Sequence, residues 1–408
     1  MTERDLAQAF AYLAASVAPI EQVEHIALSY ARGRILAAPL VSQWDLPTHD
    51  LAAMDGYAVR AQDLAGGRNI LRVVATILAG HPFSGHIGRN ACARIMTGAP
   101  MPEGSDAVVV MEVVQALAAD TVAVPGPVPV GANRRLRGEH VRVGDTVLSP
   151  GRRLRAAELA LACAIGAVEV AVYRRLRVGV LSTGDELHDP PADLRQDGAY
   201  DSNRPMLLAA VEGAYMSGFD LGICPDDSAA LARFIEMAFD QRLDSLLISG
   251  GAALGDADVV RTLAGVEFVP VNARPGRGIA VARLVRMGQD LLVLGLPGNS
   301  VAAYVILHAL ALPLLARMAG SDACPPAPIS MPIARDLRGR AGRIDFRRAR
   351  LTRDSAGRQL ADPLAEQGSA MIRSVCDADA LIAVGPAAEY RAGELLPVYL
   401  LETFEIQR

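Results

Sequence analysis

The sequence contains no lysine; all 40 of its basic residues are arginine. Any anion held by side-chain charge must therefore meet a guanidinium, a donor of different geometry from an ammonium. Cysteine is sparse as well. The five present (Cys92, Cys163, Cys224, Cys324 and Cys376) are odd in number and far apart, with no C-x-x-C pair and no zinc-finger spacing to a histidine. That excludes a disulfide framework or zinc finger and fits free thiols in a reducing compartment. Long apolar runs are missing. The longest, residues 301–315, is interrupted by His308 and Pro313, is too short to span a bilayer comfortably, and predicts a buried helix. No positive excess exists, since the net charge is −5, so neither a basic face nor a nucleic-acid partner is expected. The acidic start Thr2-Glu3-Arg4-Asp5 lacks the charge of a secretory signal, and a cytoplasmic protein without a membrane partner is expected. There is no Walker loop and no G-x-G-x-x-G opening the first α/β strand, which disfavours nucleotide hydrolases and dinucleotide dehydrogenases.

What is present is an ordinary globular balance, 51% apolar and 21% charged over 408 residues. At roughly 150 residues per domain, two to three domains are expected. The first forty residues predict helix, with residues 21–38 ending at Pro39. From Trp44 to about Arg137, short β-branched runs such as 71–74 and 107–110 alternate with Gly/Pro turns, predicting a β-rich module. Residues 139–173 return to helix, clearest at 156–164, so the β-rich module is inserted into a helical one. From Arg177 strands and helices alternate: strands at 177–181, 219–223, 244–248, 266–271 and 291–295, helices at 203–216, 228–240, 256–263 and 299–318. That order predicts a parallel sheet with helices on both faces. Beyond the proline-rich residues 324–328, runs at 346–351, 380–384 and 395–401 predict a small β-barrel or sandwich.

Three predicted strands end in short polar, glycine-bearing loops. They are Ser182-Thr183-Gly184-Asp185-Glu186, then Ser249-Gly250-Gly251 running on to Gly255-Asp256-Ala257-Asp258, and finally Pro297-Gly298-Asn299-Ser300. Open parallel sheets bind ligands outside the carboxyl ends of their strands. Glycine allows close backbone approach, and free N–H groups at helix starts favour anions. One helix dipole amounts to only about half a charge, so several loops must converge on a phosphate. Carboxylates Glu186, Asp226-Asp227, Asp256 and Asp258 fall on the same rim, as expected if magnesium lies between them and a phosphate. Asp226-Asp227 precede a helix, where capping explains acids equally well. In the inserted module, Asp55-Gly56 and Thr97-Gly98 each predict a turn, the former within a hairpin.

Taken together, the segments AMDGYAV (53–59), IMTGAP (95–100), RGE (137–139), STGDEL (182–187), YDSNR (200–204), SGG (249–251), GDAD (255–258), PGR (275–277) and GLPGN (295–299) resemble the molybdopterin molybdenumtransferase family, which includes the C-terminal domain of gephyrin. The match runs along nearly the whole chain. It implies a multi-domain α/β plus β protein with four parts. These are an elongated helical linking domain (1–44 and 139–174), an inserted β-rich domain (45–138), a three-layer α/β domain with a mostly parallel sheet that binds molybdopterin (175–321), and a C-terminal β-barrel (322–408). It also implies a homodimer whose site is shared between subunits, and magnesium-dependent insertion of molybdate into adenylylated molybdopterin with release of AMP. By matching motifs, Asp55, Glu186, Asp226 and Asp258 carry over as functional acids, with Glu186 and Asp258 on the metal. Thr97, Ser182, Thr183, Gly184, Ser249, Gly250, Gly251, Arg274, Arg277, Pro297, Gly298 and Asn299 carry over as ligand-contacting or site-shaping positions. Molybdopterin adenylyltransferase and apo-molybdoenzymes are the partners implied.

The chain departs from the family pattern at several positions. His140 stands where an acid usually follows RGE, and Ala252-Ala253 replace a Ser or Thr. The lysine-rich stretch becomes Pro270, Arg274 and Arg277; Ser300 replaces a proline; and the last domain's serine pair is Arg373-Ser374. Two alternatives stay open from sequence: a paralogue that holds the pterin without inserting metal, and the adenylyltransferase that activates molybdopterin.

Overall fold

The computed structural model describes residues 3–66, 69–191, 197–250, 259–322, 325 and 327–401. The chain divides into two compact units, one comprising 1–38, 150–155 and 171–408, the other 39–149 and 156–170.

The first unit is built on a six-stranded sheet. In chain order its elements are β1 (Leu176–Thr183), α1 (Asn203–Val211), β2 (Met216–Cys224), α2 (Ser228–Asp240), β3 (Ser245–Ser249), β4 (Glu267–Pro270), β5 (Gly278–Arg286), β6 (Gln289–Leu296) and α3 (Ser300–Ile306). The spatial order is β2-β1-β3-β6-β5-β4. The first four strands are parallel, with Val180 opposite Leu247 and Leu247 opposite Leu294. Strand β5 runs antiparallel to both of its neighbours, β6 and β4. Sequence reading placed no strand at β5, so the sheet is mixed where a parallel one was expected. Side-chain alternation explains how helices cover both faces. Val178, Val180, Leu247, Leu294 and Leu296 pack with Leu207 and Val211 of α1 and with the helical run after α3. Leu181, Leu246, Ile248 and Val293 pack with Leu231, Ile235 and Phe239 of α2.

The helical run Ser300–Met318 is long and apolar enough to cross a membrane by length and composition, yet 78% of its most apolar window is buried inside the fold. It belongs to the core. A π segment, Leu307–Ala311, lies just before Pro313, whose missing N–H cannot continue the regular ladder.

The expectation of helix over residues 21–38 fails. Val23–Ala27 is a strand, and the backbone of Ile35 and Ala37 bonds to Tyr173 and Ala171. Only Leu6–Ala14, closed by a reciprocal Asp5–Gln8 capping box, is α-helical among the described residues of the first forty. Residues 139–173 likewise hold strands Thr146–Leu148 and Glu169–Tyr173 around one helix, Ala156–Ala164. The end of the chain forms strands Ile329–Pro332, Ile344–Arg353, Gln359–Pro363, Ala380–Val384 and Leu395–Leu400. Ala273–Arg274 pairs in parallel with Ile344–Asp345, which ties this last sheet to the end of β4.

The second unit carries its own six-stranded sheet, in the order Ala107–Val110, Gly56–Val59, Ala91–Ile95, Asn69–Ile77, Thr121–Val124, Gln115–Ala118. It is β-rich, as expected. The Asp55-Gly56 hairpin is not found: Leu51–Ala52 pairs with Arg134–Arg135, while Gly56–Val59 pairs with Ala91–Ile95 and Ala107–Val110.

Candidate functional site

The carboxyl ends of β1, β3 and β6 are drawn together by buried polar contacts. Ser182, Thr183 and Ser249 are nearly inaccessible, which is unusual for hydroxyls unless each is bonded. Ser182 Oγ donates to Asp201 Oδ1 at 3.0 Å, and Thr183 Oγ1 donates to the Ser249 carbonyl at 3.4 Å. Asn203, in the first turn of α1, donates through Nδ2 to Ser249 Oγ and to the Gly298 carbonyl, both at 2.7 Å. Gly250 has φ +101°, and a Cβ there would lie 2.6 Å from the Thr183 carbonyl oxygen and 2.7 Å from its hydroxyl. Only glycine fits. A Cβ built on Gly298 would lie 3.4 Å from Gly250 Cα, so two of the glycine loops touch.

The acids follow the same rim. The Glu186 carboxylate lies over Gly184, where a Cβ would meet its Oε2 at 2.6 Å. Asp227 caps α2 by accepting from Ala230 N at 2.8 Å. Asp226 is no cap. Its N–H donates to Asp185 Oδ1 at 3.2 Å, and burial, then the Asp185 and Glu186 carboxylates, push its carboxyl above the ordinary range. Capping thus accounts for Asp227 alone of this pair. Hard carboxylate oxygens that repel one another suit magnesium, which needs only one or two carboxylates beside its waters and a substrate phosphate. Among the described residues no three His, Cys, Asp or Glu side chains group as a complete metal cage. Asp258 and Gly251 lie outside the described residues.

Beside this rim opens a cleft of about 720 Å³. Arg274, Arg277, Pro297, Gly298 and Asn299 line one side of it, and Arg340, Arg343 and Arg347 the other. Gly298 belongs both to the cleft and to the rim network. Among the described residues neither Arg274 nor Arg277 has a carboxylate partner. Arg347 and Arg340 share Asp345, at 2.8 and 3.6 Å, and Arg343 pairs with Glu3 at 2.8 Å. Positive charge therefore dominates the walls. Sequence reasoning missed Arg340, Arg343 and Arg347, which precede or lie in the strand Ile344–Arg353 and whose approach to Arg274 depends on the Ala273–Arg274 pairing with Ile344–Asp345. It also gave no role to Asp201 and Asn203, although YDSNR was noticed as a motif.

Asp55 and Thr97 lie in the other compact unit, where they form a pair of their own. Asp55 Oδ1 accepts from Thr97 N and from Thr97 Oγ1, both at 2.7 Å. These two bonds, the backbone one first, and then the nearby Arg94, hold the Asp55 carboxyl below the usual range. Gly56 beside it admits no side chain, since a Cβ would fall 2.0 Å from the Val109 carbonyl oxygen.

Parallel strand ends, glycine loops and an arginine-lined cleft define a class: α/β proteins that take a polyanionic ligand at the carboxyl rim of the sheet. Comparison with known proteins narrows it. Three family models match in order: the MoeA N-terminal region (domain I and II) over residues 4–166, a probable molybdopterin binding domain over 179–317, and the MoeA C-terminal region (domain IV) over 330–401. A molybdopterin molybdenumtransferase of Haemophilus influenzae is 35% identical over 364 residues, covering 87% of this chain and 89% of the relative. One from Synechococcus elongatus is 33% identical over 370 residues, covering 87% and 88%. The crystal structure of the molybdopterin biosynthesis moeA protein from Pyrococcus horikoshii superposes with a TM-score of 0.81 at 25% identity, over 98% of this chain and all of the other. The chain belongs to the molybdopterin molybdenumtransferase family.

Proposed function

We propose that this protein is an active molybdopterin molybdenumtransferase, inserting molybdate into adenylylated molybdopterin and releasing AMP. The observation that carries the reading is the continuity of the rim network with the arginine cleft through Gly298. A ligand with phosphates at one end and an oxyanion at the other needs such a site. Ser182, Thr183, Gly184, Ser249 and Gly250, with Gly251, hold the pterin and its phosphate. Pro297, Gly298 and Asn299 shape the turn beside them. Arg274 and Arg277, joined by Arg340, Arg343 and Arg347, face the oxyanions of molybdate and nucleotide. Guanidinium forks grip such oxygens in pairs, which offsets the missing lysines.

Glu186, with Asp258, holds magnesium, and Asp226 stands beside Glu186. When bound, the ion supplies positive charge between these carboxylates and the ligand's phosphates. Asp55, oriented by Thr97, completes the site from the partner subunit of a homodimer. The four-part division at 1–44 with 139–174, 45–138, 175–321 and 322–408 is part of this proposal. So is a closed C-terminal barrel, supported by a parallel bridge between Ile333 and Ala361 that joins the edges of the last sheet. A cytoplasmic location, molybdopterin adenylyltransferase as supplier and apo-molybdoenzymes as recipients complete the reading.

The test is AMP release from adenylylated molybdopterin by purified protein with magnesium, with and without molybdate. Release that depends on molybdate is expected. Binding of the pterin without release would favour a holding paralogue, and formation of the adenylylated pterin from ATP would favour an adenylyltransferase.

A further inference from the structure

We infer that Asn203 is a positioning residue for the ligand loops, setting through one buried amide the distance between the loop after β3 and the loop after β6. The inference rests on the assignment of those loops to molybdopterin. Asn203 is 8% exposed, and its Nδ2 spends both protons on the two loops, one on Ser249 Oγ and one on the Gly298 carbonyl, each at 2.7 Å. A neutral amide supplies two donors from one planar atom; a carboxylate of the same shape supplies none.

The turn that carries Asn203 is itself held rigidly. Asp201 accepts from the backbone N–H groups of Asn203 and Arg204 at 3.2 and 3.1 Å, from Arg204 Nε at 3.0 Å, and from Ser182 Oγ at 3.0 Å. Arg204 anchors the turn further by donating to both Asp220 oxygens at 2.6 and 2.7 Å and to Asp189. The four residues 201–204 therefore reach the ends of β1, β3 and β6 at once. Asn203 does not face the ligand, for its own Oδ1 is enclosed and, among the described residues, without a partner. Its effect passes through Ser249 and Gly298. Displacing a ligand-holding loop by about 1 Å is enough to cost on the order of a hundredfold in rate.

The experiment is calorimetric titration of adenylylated molybdopterin into the full-length protein, wild type, Asn203→Ala, Asn203→Asp, Ser249→Ala and the Asn203→Ala/Ser249→Ala double variant, with thermal melting of each. Both Asn203 variants are expected to bind roughly ten- to hundredfold more weakly. The double variant should bind no more weakly than the product of the two single effects, and measurably less so, because both changes break one clamp. KM should rise more than kcat falls. Asn203→Asp keeps the side chain's shape and serves where Asn203→Ala does not fold. Affinity within twofold of wild type in the folded variants overturns the inference, as do independent effects in the double variant or lowered melting with unchanged affinity. Wild type that fails to bind the ligand overturns the functional reading instead.

Discussion

At the scale of single residues, Asp55 and Thr97 show how a motif becomes chemistry. Two hydrogen bonds from one residue fix the Asp55 carboxylate and favour its charged form. Because the folded pKa lies below the unfolded one, the associated stability is present at neutral pH and is lost as pH falls through the folded value. Thr97→Val removes the hydroxyl and keeps the backbone donor. Carbon-detected NMR titration should then place the Asp55 carboxyl closer to the ordinary aspartate value; an unchanged value would mean the hydroxyl has no share. Arg277 is exposed and has no carboxylate partner among the described residues, so Arg277→Ala should fold normally. Loss of its charge-assisted contact, about 1.5–3 kcal/mol, should raise KM for molybdate or the adenylylated pterin roughly ten- to hundredfold. Wild-type KM for both would remove Arg277 from the site. Glu186, Ser249, Gly250 and Gly298 were legible as candidates because each lies at or within three residues of a strand's carboxyl end. Arg340, Arg343 and Arg347 were not, because what brings them to Arg274 is a strand pairing between distant segments.

At the scale of elements, the strands were easier to read than their directions. Residues 177–181, 244–248 and 291–295 are largely apolar after their first positions, as buried parallel strands are, and they overlap β1, β3 and β6. Strand β5 escaped because its opening residues, Gly278 onward, were absorbed into the glycine-arginine loop before it. Its alternation of Ile279, Val281 and Arg283 with Ala280, Ala282 and Leu284 was visible but unused. Residues 21–38 failed for a different reason. Their backbone partners at 171–173 are far away in sequence, and no local propensity encodes a distant strand. The loops between elements are the least forgiving parts. At Gly250 an alanine would need a left-handed backbone and would press on Thr183. Gly250→Ala should lower stability by about 1–3 kcal/mol and abolish pterin binding, measured by denaturant unfolding and titration. A variant with wild-type stability and affinity would show that the close approach is not required.

At the scale of the whole molecule, the residues proposed for the site fall in two compact units, Asp55 in one and Glu186 in the other. A site shared between subunits makes a specific prediction. Asp55→Ala and Glu186→Ala proteins, each inactive, should regain activity when co-refolded, because about half of the dimers are then mixed and each mixed dimer carries one intact site of two. Random pairing gives about a quarter of wild-type activity, and no recovery would place both acids in a site made by one chain. Membership of the family was legible from the order of short motifs, and three family models match the chain in sequence over the same span. The departures at Pro270, Arg274, Arg277 and Ser300 were equally legible, but that Arg340, Arg343 and Arg347 line the same cleft as Arg274 and Arg277 appears only in three dimensions. The proposed function requires Glu186, just past the end of β1, for the release of AMP at this rim. Molybdate-dependent AMP release by Glu186→Ala, compared with wild type at matched folding, tests it most directly. The account predicts near-complete loss with the protein still folded; release at the wild-type rate would contradict it.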